Sequence, residues 1–446
     1  MAHPWRRGLV LVLVSWLAVG CSTVTKKEVK PLYFPAAPDP PRVVSVYRFF
    51  TNRDLEEHSA FNEFVVGKAP TIRFDHPYGV AYHDHTIYVA DPQLGAILLF
   101  DLEKRKVAWI YSEGAGQMKR PNGVAVADDG TVYIADAGRD QVLRYNAEHK
   151  YIGAWGVKGK FHPTGVAVHG DRLYVADVLG HYIRVFDRKT GKLLQSIGGQ
   201  AGREGKKVPL GYLVAPTNVA VGPEGNIYAS DTMQAVVVKY DPEGHALSHV
   251  GARGDAPGSF ARPRGVAVDS EGHIYVVDAA FENVQMFNPK GQALMFFGGA
   301  GSIPGRLWLP SGICVGVPVD DFFKPYIPKD FVAESLILVA NQYGPANISV
   351  FAFGHGKDNN NKKKPTEAPA AKAGDQGKEK GKEKGAAAAG TTGANAEKTG
   401  AVTGTKQDQA EPAKAVVPGG KDNGSAPPQP ADGQPAKEAA PGGAQP

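Results

Sequence analysis

The sequence predicts an all-β fold, a six-bladed β-propeller, over residues 42–354 of the 446-residue chain. Two observations carry this. Six related segments recur: HPYGVAYHDHTIYVAD (76–91), RPNGVAVADDGTVYIAD (120–136), HPTGVAVHGDRLYVAD (162–177), APTNVAVGPEGNIYASD (215–231), RPRGVAVDSEGHIYVVD (262–278) and LPSGICVGV (309–317), which resumes at LILVAN (336–341). Their prolines at 77, 121, 163, 216, 263 and 310 lie 44, 42, 53, 47 and 47 residues apart, the length of one four-stranded blade. Within each unit, short apolar runs are separated by turn residues.

Each unit reads as four strands. GVAV is apolar without alternation, as a strand buried on both faces must be. A turn such as ADDGT or GPEGN follows. TVYIAD and its equivalents are β-branched and aromatic, which suits a second strand. ILLFD, QVLRYN, YIRVFD, VVVKYD and NVQMFN are third strands, and KYIGAWG, KLLQSIGG and ALMFFGG are fourth strands. The sixth unit has no fourth strand of its own, because the chain turns polar after Phe353. RVVSVYRFF (42–50) is a strand without a repeat. A propeller with an open edge invites aggregation, so residues 42–50 are expected to close blade six as its outer strand.

These quoted segments resemble the NHL-repeat family of β-propellers. Within the repeats, recurring letters are construction and changing letters are information. Ala81, Ala125, Ala167, Ala220, Ala267 and Cys314 share a slot where strands crowd the axis, so Cys314 is expected to be an inert thiol. Asp91, Asp136, Asp177, Asp231 and Asp278, with Asn341, end the second strands. They are placed identically around a ring and so stand far apart, which favours capping of local backbone N–H groups over a shared metal. Tyr88, Tyr133, Tyr174, Tyr228 and Tyr275 are expected to pack blades.

The residues flanking the prolines differ from unit to unit. His76, Tyr78, Arg120, Asn122, His162, Thr164, Thr217, Arg262 and Arg264 are the candidate binding residues, on the face that also carries the insertions at 51–75 and 199–215. Loop 318–335 is expected on the opposite face. The mixture is basic and polar, suited to an anionic group or an acidic partner. An alternative is a lyase or hydrolase at the axial channel mouth. Some NHL-type propellers are lyases, one with zinc held by histidines that follow the repeat proline. Here those positions are Tyr78, Asn122, Thr164, Thr217, Arg264 and Ser311, so that ligand set is missing. His83 and His85, in YHDHT, lack an evident third ligand. No catalytic residue, metal site or cofactor is assigned.

The ends of the chain have other compositions. Residues 1–20 run from basic MAHPWRR into apolar GLVLVLVSWLAVG, a signal-peptide layout too short for a comfortable membrane helix. Leu17-Ala18-Val19-Gly20-Cys21 resembles a bacterial lipobox, with Ala18 where many carry Leu. That resemblance implies lipidation of Cys21, and Ser22 implies outer-membrane sorting, with the protein facing the periplasm or the exterior. Residues 21–41 would then be a tether. With Cys21 lipidated, only Cys314 remains and no intramolecular disulfide can form. Residues 355–446 contain no Phe, Trp, Tyr, Leu, Ile, Met or Cys, and such a composition predicts a disordered tail. The formal charge is +5, of which +3 belongs to that tail (14 Lys against 11 Asp and Glu). The remainder is too nearly neutral for a nucleic-acid surface. The expected partner is an envelope protein, a peptide or a glycan, bound by a lipid-anchored scaffold.

Overall fold

Every repeat forms an antiparallel sheet in the computed structural model, which describes residues 30–56, 70–156, 158–200, 208–344 and 346–357. The chain divides into two units, Met1–Glu367 and Ala368–Pro446, and all described residues belong to the first. The segment read as a signal peptide, 1–20, Cys21, and the residues beyond 357 lie outside the described residues.

Blade two shows the plan. Its strands are Pro121–Val126, Val132–Asp136, Gln141–Tyr145 and Tyr151–Trp155, hydrogen-bonded in that order. Ala125 faces Tyr133, and Val124 faces Ile134, which in turn faces Leu143. A register shift falls between Pro121 and Gly123. Equivalent shifts follow Pro163, Pro216, Pro263 and Pro310. The residue after each of these prolines therefore sits at a β-bulge, a feature that re-aims a side chain.

Strands one to four run from the axis outward, and the apolar side chains pack between neighbouring sheets. One buried cluster joins Ile97 and Leu99 of blade one to Ile134 and Leu143 of blade two. A comparable cluster lies at each of the other interfaces around the ring. Near the axis the first strands come so close that glycine is required. A Cβ on Gly79 would stand 2.6 Å from Asn122 O, and one on Gly123 would stand 3.0 Å from Thr164 O. Tyr133 and Tyr275 are fully buried between blades, and Tyr88, Tyr174 and Tyr228 nearly so.

Blade six closes the ring as the orphan strand at 42–50 predicts. Its order is Pro310–Val317, Phe331–Asn341, Ile348–Gly356, then Val43–Phe49. Val43 pairs with Phe353 and Phe49 with Ile348. The strand pairing reaches further at both ends than the boundaries 42 and 354 read from the sequence. Tyr33–Phe34 adds a short fifth strand on Val43 and Val44. Its rings find apolar partners, Tyr33 at 6.5 Å from Phe331 and Phe34 at 6.3 Å from Phe297. The segment read as tether thus contributes an aromatic pair to the blade, and the third strand continues to Gly356.

The loop between Val317 and Phe331 lies on the expected opposite face. It packs Phe322, Phe323 and Tyr326 around Tyr47. His85 Nδ1 stands 2.6 Å from the buried Asp320 carboxylate. Hydrogen bonding to Asp320 holds the exposed imidazole's pKa above its ordinary value.

Two predictions follow from this closure. Deleting residues 42–50 should lower the melting temperature sharply, and Phe49→Ala alone should cost ~3–5 kcal/mol in a denaturant titration. Because the folded-state pKa of His85 is raised, its contribution is fully present below the unfolded value near 6.5 and is lost as pH rises through the folded value. His85→Ala should therefore destabilise the protein at pH 5.5 and leave its stability little changed at pH 8.5.

Candidate functional site

The aspartates that end the second strands are completely buried, and each is met by backbone N–H groups from two directions. Asp136 accepts hydrogen bonds from Lys119 N (2.7 Å) and Arg120 N (2.9 Å), just before strand one. It also accepts from Gly138 N (3.0 Å) and Arg139 N (3.1 Å) in its own turn. Asp91 and Asp278 do the same with Asp75, His76, Gln93 and Leu94, and with Ala261, Arg262, Ala280 and Phe281. Asp231 accepts from Val214, Ala215 and Gln234. Asp177 takes His162 N, Gly180 N and the Arg184 guanidinium. The sequence suggested caps on local turns. The structure adds the second half of each cap, the loop arriving from the preceding blade.

These staples fix the backbone of His76, Arg120, His162, Ala215 and Arg262 on one face. Two residues along, past each proline, come the bulged residues Asn122, Thr164, Thr217, Arg264 and Ser311. The first strands enclose an axial cavity of ≈250 Å³ lined by the alanine slot, valines such as Val124 and Val266, and Cys314. Burial pushes the Cys314 thiol up to about 12, which keeps it protonated at neutral pH.

The candidate residues fare differently. Thr164 is buried, and its Oγ1 lies 3.4 Å from both Ala176 O and Pro216 O. Ser311 Oγ donates to Tyr78 O at 3.0 Å across the closing interface. Thr217 Oγ1 shares a hydrogen bond with Thr232 Oγ1 at 2.8 Å, and Thr232 lies 2.6 Å from Pro263 O of the next blade. These hydroxyls tie blade to blade. His162 Nδ1 stands 3.1 Å from Asp140, and His76 Nδ1 stands 2.9 Å from Asp75 at an ion-pair distance without hydrogen-bond geometry. The His76 ring lies edge-on to Tyr343 at 4.6 Å. Arg120 and Arg262 are exposed, and Asn122 is half-buried. Arg264 is 9% exposed, with its guanidinium 5.6 Å from the centre of the Tyr78 ring. Burial lowers its pKa, and the nearby Arg262 charge lowers it further. Among the described residues, no three His, Cys, Asp or Glu side chains come together in a way that could hold a metal.

Two features escaped the sequence reading. Asn218 occupies the slot held by Gly79, Gly123, Gly165, Gly265 and Gly312 in the other blades, and it is among the residues that line the cavity. Its departure from a glycine column was the available signal. The turns after the aspartates and Asn341 also carry exposed apolar side chains: Leu94, Leu179, Met233 and Tyr343. Leu210, Tyr212, Ile303 and Trp308, in the inter-blade links of the same face, are exposed as well. In the loops of the opposite face, among the described residues, Tyr326 alone is an exposed large apolar side chain.

Six blades around a cavity, each stapled by a buried Asp or Asn, define a six-bladed β-propeller. A family model for the NHL repeat matches residues 260–286, which span the first three strands of blade five. With its six units of this type, the chain is an NHL-repeat propeller. It is similar to a protein of unknown function from Bacteroides thetaiotaomicron, at 19% identity and TM-score 0.47, over 63% of this chain and 70% of that one. It is also similar to virginiamycin B lyase from Staphylococcus aureus, at 11% identity and TM-score 0.43, over 63% and 95%. A gluconolactonase from Xanthomonas campestris is similar at 15% identity and TM-score 0.46, over 71% and 99%. No curated protein matches the sequence.

Asp136→Ala should strand buried N–H groups and cost about 3 kcal/mol, measured by denaturant unfolding. Asp136→Asn keeps one acceptor, as Asn341 does in blade six, and should cost less than half as much.

Proposed function

We propose that this propeller is a lipid-anchored scaffold of the bacterial envelope that docks a protein on the face carrying the inter-blade links. The observation that carries the reading is the asymmetry of exposed apolar side chains between the loops of the two faces. Leu179, Met233, Tyr343 and Trp308 stand on that face at 47–63% exposure, around a mouth bearing Arg120 and Arg262. Large apolar side chains ringed by charge mark interaction surfaces. A rigid ring with variable residues at its turns is the usual way a scaffold displays contacts.

The anchorage reading rests on the lipobox-like LAVGC ending at Cys21. A lipid at Cys21 places the propeller at a membrane surface, and outer-membrane sorting follows from Ser22. The partner is then another envelope protein, with an acidic surface to meet the arginines.

The test is crosslinking capture from native membranes with the full-length protein. A double variant, Leu179→Ser with Met233→Ser, and a charge-reversed variant, Arg120→Glu with Arg262→Glu, should each reduce recovery of the crosslinked partner at least about tenfold. Undiminished recovery with both variants would assign the interaction to another surface. Metabolic labelling with a fatty-acid analogue should mark the wild type and leave Cys21→Ala unlabelled.

A further inference from the structure

Arg264 is the one arginine among the bulged residues at the axial mouth, and its surroundings do not account for its charge. Nη1 is buried and hydrogen-bonds to nothing among the described residues. Its titratable neighbours are Tyr78, which favours the charge, and Arg262, which opposes it. Burying part of a guanidinium without a counter-charge or a hydrogen-bond partner is unfavourable, and an anion at its open edge would offset that cost.

The geometry indicates which part of the guanidinium is open to that group. Tyr78 lies over the cation at 5.6 Å in a cation–π contact, which uses a face of the planar group. Its N–H donors lie in the plane; Nη1 is closed off, and the edge formed by Nε and Nη2 remains for hydrogen bonds. The carbonyl of Arg264 is held by Ser230 Oγ at 2.5 Å and that of Pro263 by Thr232 Oγ1 at 2.6 Å. Blade four thus pins the backbone from which the side chain projects. Asn218, also from blade four, is among the residues that line the adjoining cavity.

We propose that the axial mouth binds a carboxylate, held by the in-plane N–H fork of Arg264 beneath Tyr78. A planar carboxylate matches the fork with two parallel hydrogen bonds, and its single charge neutralises the single buried cation. The carboxylate comes from a free small acid or from an acidic side chain of a docked protein. The site is separate from the rim residues Leu179 and Met233, and its test uses no partner protein, so the two readings fail independently.

Malonate and the capped peptide acetyl-Gly-Glu-Gly-amide are titrated into the full-length protein, with calorimetry and thermal shift as readouts. Saturable malonate binding alone identifies a free acid as the source, and peptide binding identifies a side chain. Arg264→Met should weaken the binding at least tenfold and, without ligand, melt no lower than the wild type, because it removes an unpaired buried charge. Arg264→Lys, which keeps the charge and loses the fork, should weaken binding about tenfold and serves if the Met variant does not fold. The proposal is overturned if neither probe binds, if Arg264→Lys keeps full affinity, or if phosphate binds tenfold more tightly than both probes.

Discussion

The buried carboxylate at the end of each second strand is the constraint on which the rest of the ring depends. It is shielded from water, and its charge is compensated by the dipoles of N–H groups that converge on it. In blades one, two and five these come in equal parts from the blade's own turn and from the chain arriving from its predecessor. One side chain therefore shapes a turn and also fixes where the next sheet begins. The backbone donors belong to residues whose side chains differ from blade to blade, so an invariant interaction presents a variable surface.

Blade six departs from this rule in a way that fits its composite origin. Asn341 receives Trp308 N at 3.2 Å through Oδ1, and its Nδ2 donates to Ser349 Oγ at 3.1 Å within the same sheet. The amide faces inward as much as toward the incoming loop. Closure there relies on the strand Val43–Phe49 and on Ser311, whose hydroxyl reaches the carbonyl of Tyr78 in blade one. A weaker staple accompanies stronger strand pairing.

Most of the architecture was legible because repetition separates common constraint from local accident. Pro121, Gly123, Ala125, Tyr133 and Asp136 recur, and for Gly123, Tyr133 and Asp136 the reason is a close approach, a buried blade contact and a set of hydrogen bonds. The orphan strand at 42–50 was legible because a ring must close. The roles of the variable letters were less so. Thr164 and Arg120 are equally variable in the alignment of repeats, yet one hydroxyl is buried in a blade contact and the other side chain is exposed. Burial at the axis depends on the direction a bulge imposes, which periodicity does not encode. The same holds for Arg264, whose isolation is a property of packing. Tyr33 and Phe34 were absorbed into a tether because their pairing strand lies close by in sequence and their ring partners more than 260 residues away.

That short fifth strand sets a distance. Tyr33 is locked into blade six, so with the proposed lipid at Cys21 only 12 peptide steps separate the membrane from a rigid body. Fully extended, they span roughly 40 Å, and any slack shortens the reach. The propeller would be leashed by its rim, on the blade-six side, and free to swivel within a shallow shell. Its docking face would then search a layer of limited height above the bilayer, and a partner would be selected by its altitude as well as by its chemistry.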